Sequence, residues 1–328
     1  MSELHKFLFE GLPVRGMLVR LTDGWQEILR RREVVGAFDA PLRRLLGEMT
    51  AAGVLMQANI KFNGAVVIQI FGDGPVKVAI TEVQPDLSFR TTAKVVGDVP
   101  ATDNGRLPLE VMVNVHGQGR CAITLDPKDR QPGQHPYQGV VSLHDDHKAP
   151  LHEFSQVLEH YMLQSEQLDT KLILAANDEV ATGLLIQRLP IEGDGNLAAD
   201  TSHEDEIGLN EHYNRIAHLA STLSQDELLT LDAETILRRL FWEEEVRYFA
   251  PQEGAMGPYF ACTCARERVA SMLRNLGQPE IESIIAEQGQ VDIGCDFCGQ
   301  HYQFDPVDAA NLFTEDLAST PPSSSRLQ

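Results

Sequence analysis

Tyr259-Phe260-Ala261-Cys262-Thr263-Cys264-Ala265-Arg266-Glu267-Arg268-Val269 carries a C-x-C pair, and Cys295-Asp296-Phe297-Cys298, 31 positions beyond Cys264, carries a C-x-x-C pair. Two close thiol pairs separated by a helix-sized insert are what a four-cysteine zinc site requires. Each pair offers two thiolates from a tight turn, and the fold of the insert closes them into a tetrahedron. The insert suits that role. Val269, Met272, Leu273 and Leu276 line one helix face before Gly277, and Ile281, Ile284 and Ile285 line another after Pro279. Gly294 and Gly299 flank the second pair and allow a knuckle turn, and Tyr302-Gln303-Phe304 predicts a short strand beyond it. A unit of about 45 residues has too little core to hold itself together, so one Zn2+ held by Cys262, Cys264, Cys295 and Cys298 would do so.

Four thiolates close the coordination sphere and leave no open position for water or substrate, which argues against a catalytic zinc. Nucleic-acid binding, a common employment of zinc ribbons, fits poorly: residues 256–305 hold three Arg and seven Asp/Glu, without a basic stripe. Two roles remain open on spacing alone. The site is a structural ribbon, as most four-cysteine sites are, or it is a redox switch. Zinc keeps thiols deprotonated, and thiolates are the oxidisable form. Each pair is close enough along the chain to close its own disulfide, Cys262–Cys264 and Cys295–Cys298. Closing both would expel the metal and unfold the small unit.

Outside this unit the composition is that of a folded chain. In 328 residues, 43% are apolar and 23% charged, which excludes disorder of the whole and permits roughly two domains. No apolar run reaches the ~18 residues of a membrane span. The 27 Lys+Arg against 48 Asp+Glu give a net charge of −21, which opposes nucleic-acid and anionic-lipid partners. The N-terminus breaks its apolar residues with Glu3, Lys6, Glu10 and Arg15, so no signal peptide is expected and cytoplasmic residence is. In a reducing compartment five cysteines are not a permanent disulfide framework.

Residues 1–190 read as one α+β domain of β-sheets packed around helices. Strands are expected at Val66–Phe71, Val76–Ile80, Leu109–Val113, Cys121–Leu125 and Lys171–Leu174. Helices are expected over 41–58, with Asp39 as cap and Pro41 in the first turn, and over 151–168. Residues 191–258 read as an acidic, metastable helical linker. Between Ile191 and Phe260 stand 15 Asp/Glu against 4 Arg and no Lys, about half of the chain's excess charge. A Gly/Asp/Asn/Ala loop (Glu192 to Asp200) opens this stretch, followed by helices around 206–221, 225–230 and 232–249. Their apolar faces, with Leu228, Leu231, Ile236, Leu237, Leu240, Phe241 and Trp242, must dock on something, while their charge opposes docking. Residues 259–306 form the zinc unit, and residues 307–328 a disordered tail.

The cysteine segments, together with Tyr302-Gln303-Phe304-Asp305, resemble the zinc-binding signature of the heat-shock protein 33 family, bacterial redox-regulated holdase chaperones. The resemblance extends over most of the chain. Phe9-Glu10, Val14-Arg15-Gly16, Gln26-Glu27-Ile28-Leu29, Leu45-Leu46-Gly47-Glu48, Ile60-Lys61-Phe62, Tyr137-Gln138-Gly139-Val140-Val141 and Ser165-Glu166-Gln167-Leu168 look like its N-terminal landmarks. All four ligand positions are present; Ala265 stands where many members carry a small polar residue. The resemblance implies a reduced, zinc-bound form that is inactive as a chaperone. Oxidation would join Cys262 to Cys264 and Cys295 to Cys298, release zinc and unfold the switch and the linker. The exposed apolar surface would hold unfolding client proteins without ATP, and the oxidised form would tend to a homodimer.

The residues agree with that picture where they can. None of the seven lysines follows a glycine, so there is no G-K-[ST] nucleotide loop. No G-x-S-x-G or H-E-x-x-H occurs, and no enzymatic nucleophile is expected. Cys121 reads as a buried small apolar residue. His144-Asp145-Asp146-His147 with His152 reads as a polar loop, His203-Glu204-Asp205-Glu206 as a solvated helix start, and His301 as a bystander. Gly72-Asp73-Gly74 and Gly117-Gln118-Gly119 read as turns. Two rivals stand beside the holdase: a constitutive structural zinc-ribbon interaction module, and a thiol–disulfide oxidoreductase using the C-x-x-C pair, although both its thiols would be tied to zinc.

Overall fold

The computed structural model describes residues 1–102, 105–130, 133–189 and 203–314. Met1–Ala261 and the chain from Cys262 onward form two compact units. The first runs β1 (Glu3–Phe9), β2 (Val14–Leu21), α1 (Asp23–Val35), α2 (Ala40–Asn59), β3 (Gly64–Phe71), β4 (Val76–Val83), β5 (Ser88–Val95), α3 (Leu109–Val113), β6 (Arg120–Pro127), β7 (Tyr137–Ser142) and α4 (Phe154–Glu166). It continues through β8 (Thr170–Ala176), β9 (Ala181–Arg188), α5 (His203–Ser221), α6 (Gln225–Thr230), α7 (Ala233–Phe241), β10 (Val246–Tyr248), β11 (Gln252–Glu253) and β12 (Tyr259–Phe260). The second holds α8 (Arg266–Leu276), α9 (Gln278–Gln288), β13 (Val291–Gly294), β14 (His301–Phe304) and α10 (Pro306–Thr314). This is the α+β architecture read from the sequence.

Two mainly antiparallel sheets build the first unit. One has the order β10-β1-β2-β9-β8, with β11 also on β1; the other has β12-β5-β4-β3-β6-β7, with β12 parallel to β5. Helix α2 packs against strands of both. Its Leu42, Leu45, Leu46, Met49, Ala51, Ala52, Val54 and Leu55 are all buried, as a helix between two sheets requires. Pro41 lies in its first turn and Asp39 at its N-cap. At the other end, where α2 has no basic residue of its own, β1 and β2 supply two: Lys6 Nζ donates to Ala58 O at 2.9 Å and Arg15 Nη1 to Asn59 O at 3.4 Å. Close approach is bought with small residues. A Cβ on Gly47 would stand 2.4 Å from Ala176 Cβ on β8. Gly47→Ala is therefore expected to lower unfolding stability by about 1–3 kcal/mol in urea titration, without change of fold.

Alternation along β1, β2, β8 and β9 divides their apolar residues between two cores. Leu4, Met17, Val19, Leu21, Leu172, Leu174 and Leu185 face α2, whereas Phe7, Phe9, Val14, Leu18, Ala175, Leu184 and Ile186 form the opposite face. Helices α5, α6 and α7 cover that outer face with Tyr213, Ile216, Ala220, Leu228, Ile236, Leu237, Leu240 and Phe241. The Phe9 and Phe241 rings meet edge-on at 5.0 Å. Gly16, opposite Phe7 in the β1–β2 ladder, leaves the space its ring fills. Arginines of the underlying domain grip the layer: Arg20 donates to Leu228 O at 2.7 Å and Leu229 O at 3.2 Å, and Arg44 to Gln225 Oε1 at 2.7 Å.

Arg44 also pairs with Glu48 at 2.8 Å. Burial pushes the Glu48 carboxyl up from 4.5 to about 7, the attraction of Arg44 notwithstanding. Because the folded value lies above the unfolded one, the folded chain holds a proton between the two values that the unfolded chain does not. Glu48 therefore adds stability below its folded value, and that stability is lost as pH rises through it. The stability of the native protein relative to Glu48→Gln is expected to fall by about 2–3 kcal/mol between pH 5 and pH 8 in paired urea titrations.

Four local expectations are corrected. Leu109–Val113 is the helix α3, not a strand: Pro108 precedes it, and Leu109, Met112 and Val113 are buried at helical spacing while Val111 is not. Helix α7 stops at Phe241, where Glu243, Glu244 and Glu245 crowd the negative end of the helix dipole, and Val246–Tyr248 pairs with β1. Tyr259-Phe260 pairs with β5 inside the first unit. Residues 307–314, expected as tail, belong to helix α10, started by an Asp308 N–H to Asp305 Oδ1 bond at 2.7 Å and held by buried Ala309 and Leu312. The expected loop Glu192 to Asp200 and residues 315–328 lie outside the described residues.

Candidate metal centre

Chemistry concentrates in the second unit, whose core is small: Ala270, Leu273, Ile281, Val291, Phe304, Ala309 and Leu312. Each element there has a local cause. Gly277 and Gly289, both with positive φ, end α8 and α9. Arg266 stacks on the Phe304 ring at 4.1 Å and pairs with Asp308 at 2.7 Å, joining α8, β14 and α10. Strands β13 and β14 form a hairpin whose turn is the C-x-x-C knuckle. Cys295 N donates to Gln300 O at 2.9 Å and Gly299 N to Cys295 O at 2.8 Å, with Gly299 at φ 70°.

This hairpin and the segment before α8 bring together all four cysteines singled out in the sequence. Their sulfurs lie within 4.8 Å of one another, and no second group of three or more such ligands occurs among the described residues. Cys262 Sγ stands 3.7 Å from Cys295 Sγ, and Cys264 Sγ 3.4 Å from Cys298 Sγ. All are free thiols. Contact with the Cys262 sulfur holds the Cys295 thiol well above the usual range, and burial pushes Cys298 up to about 11. Four sulfurs packed this closely cannot all carry charge without a cation among them. The donor set and its spacing fit one soft, four-coordinate metal ion.

One contact escaped the sequence. Tyr302, opposite Ile293 in the β13–β14 ladder, donates its hydroxyl to Cys264 Sγ at 3.1 Å. Its place in a strand was legible, but the aim of its ring depends on hairpin register. The residues set aside stay apart. His301 bonds Asp292 at 2.8 Å, and His152 bonds Glu110 at 2.7 Å. Asp145 accepts the His147 and Ala149 amides of its own turn, at 2.9 and 2.8 Å. Cys121 is buried on β6 with its thiol pushed up to about 12 by desolvation, an inert environment. Asp73 accepts the amides of His116 and Gln118, at 3.1 and 2.8 Å, which ties the two glycine turns together. His203 begins α5, and the side chains of 203–206 lie outside the described residues. No described helix is long and apolar enough to cross a membrane.

The chain thus combines a sheet pair around a buried helix, a helical layer on one sheet and a small unit in which four thiols cluster closely enough to hold a metal ion. The family model described as Hsp33 protein matches residues 2–305, and the chain belongs to that family. It is 44% identical over 318 residues to the 33 kDa chaperonin of Chromobacterium violaceum, covering 97% of this chain and 96% of the relative. The 33 kDa chaperonin of Methylobacillus flagellatus is 40% identical over 317 residues, covering 96% of each. In fold it is similar to the crystal structure of the 33 kDa chaperonin (heat shock protein 33 homolog) of Thermotoga maritima, with a TM-score of 0.73 at 18% identity, over 96% of this chain and 99% of the other. These relatives carry a chaperone's name rather than an enzyme's.

Proposed function

We propose that this chain is a redox-regulated, ATP-independent holdase of the cytoplasm, active under oxidative stress. In the reduced state Cys262, Cys264, Cys295 and Cys298 hold one Zn2+. The ion supplies the positive charge that keeps four sulfurs ionised side by side and the binding energy that the small core lacks. Tetrahedral zinc–thiolate bonds of about 2.3 Å set sulfurs about 3.8 Å apart, and the 3.4 and 3.7 Å contacts suit that spacing. Oxidation joins Cys262 to Cys264 and Cys295 to Cys298, removes the donor set and leaves the second unit unfolded.

Chain continuity explains how this reaches the first unit. Cys262 follows β12 closely, and β12, β11 and β10 are strands of two, two and three residues. Segments so short are at the low-stability end of any fold and fray first. Beyond them lie α7, α6 and α5. Their release uncovers the outer face of the first sheet and their own apolar sides, a surface that holds unfolding client proteins and pairs oxidised chains as homodimers. The net charge of −21 keeps such assemblies dispersed and offers nothing to nucleic acid.

The observation that carries this reading is the covered outer face: a sheet already packed on α2 carries a second apolar face under a self-repelling acidic layer. Light scattering of a thermally unfolding client tests it. Suppression by the oxidised protein alone, reversed by a thiol reductant, is expected. Equal suppression by reduced and oxidised protein would establish a constitutive interaction module instead.

A further inference from the structure

We propose that Tyr302 is a positioning residue that restrains oxidation of the C-x-C pair by donating its phenolic O–H to the Cys264 sulfur; this rests on the thiol-switch reading above. The four sulfurs are not held alike. Cys295 Sγ meets the backbone N–H groups of Phe297 and Cys298, and Cys298 Sγ that of Gln300, donors that come with the knuckle itself. Cys264 Sγ, in the segment before α8, instead takes a side-chain hydroxyl, at 3.1 Å, from strand β14. The register that puts Tyr302 opposite Ile293, and the packing of its ring against the small core, fix that aim.

The chemistry gives the contact a direction. A two-electron oxidant such as hydrogen peroxide is attacked by a thiolate lone pair. The O–O bond breaks, hydroxide leaves, and the sulfur becomes a sulfenic acid. The Cys262 thiolate then displaces that oxygen as a second hydroxide, forming the S–S bond. The two sulfurs have lost two electrons and the peroxide has gained them. An O–H donor on Cys264 draws on the lone pair that must attack, so the sulfur is a poorer nucleophile. Cys298, the most buried of the four at 6% exposure, is shielded by its surroundings instead.

Tyr302→Phe removes the donor and keeps the ring. In reduced, zinc-loaded protein given limiting hydrogen peroxide, trapped sulfenic acid at Cys264 and the Cys262–Cys264 disulfide should appear about three- to tenfold faster. The initial rate at Cys295–Cys298 should change less than twofold. Full-chain incorporation of 3-fluorotyrosine, a stronger donor that leaves the fold intact, should slow the same step. With Co2+ in place of zinc, the Tyr302→Phe thiolate-to-metal charge-transfer band should move to lower energy, since the sulfur is richer in electrons. A wild-type chain that keeps its metal and its thiols under peroxide overturns the switch reading itself. A wild type that switches, with Cys264 oxidised at the same rate and an unmoved cobalt band in Tyr302→Phe, overturns the role of Tyr302 alone.

Discussion

Reduced Cys298→Ser protein is expected to purify with less than about a tenth of the metal equivalents of the native chain and without a cooperative fold beyond Ala261. Cys298 is the buried member of the four, and serine oxygen is a poor ligand where soft thiolates are called for. Seven buried side chains cannot replace the ~10 kcal/mol that a structural zinc site typically contributes to folding of a unit this small. Amide exchange should show α8, α9 and the β13–β14 hairpin unprotected in the variant, while α2 and the strands around it stay protected. Chelation of the reduced native protein should reproduce the pattern and added zinc reverse it. Retention of one equivalent of zinc by Cys298→Ser would overturn the four-thiolate assignment.

Ile236→Asp should make the reduced, metal-loaded protein bind a hydrophobic dye and suppress client aggregation with no oxidant present. Ile236 is fully buried on α7, in the core shared with Phe7, Phe9 and Phe241. A carboxylate there costs several kcal/mol, and it joins a segment already dense in negative charge. Release of the layer is the cheapest relief, because it returns the charge to water without disturbing the other core. Trp25 reports on that core: it is fully buried, and its indole N–H donates to Asn177 O at 2.7 Å. Its blue-shifted emission should survive in the variant. A reduced Ile236→Asp protein as silent as the native one would mean that the layer is no gate.

The two periodicities and the cysteine spacing were legible from the sequence alone. Leu42 to Met56 announced α2, and the two close thiol pairs announced the cluster in which all four sulfurs meet. What stayed hidden has physical reasons. Strands β2 and β9 bury apolar residues on both faces, so alternation, the usual mark of a strand, is muted where a sheet is covered twice. Helix α1 carries Arg30, Arg31 and Arg32 toward its end and few apolar residues to betray it. Leu109–Val113 is too short for its period to be told, and its buried set at i, i+3 and i+4 emerges only from packing. The Tyr302–Cys264 bond depends on register between strands, which a linear pattern does not contain.

Leu18 and Val19 are neighbours on β2, yet they belong to different cores. The same alternation separates Ile173 from Leu174 and Leu184 from Leu185. Under the proposed release of the helical layer, heat tolerance of the scaffold and the threshold for uncovering its outer face would be set by interleaved residues of the same strands. Selection can raise one without touching the other. A relative living at high temperature would then be able to harden the side facing α2 without locking the other, through substitutions a single residue apart.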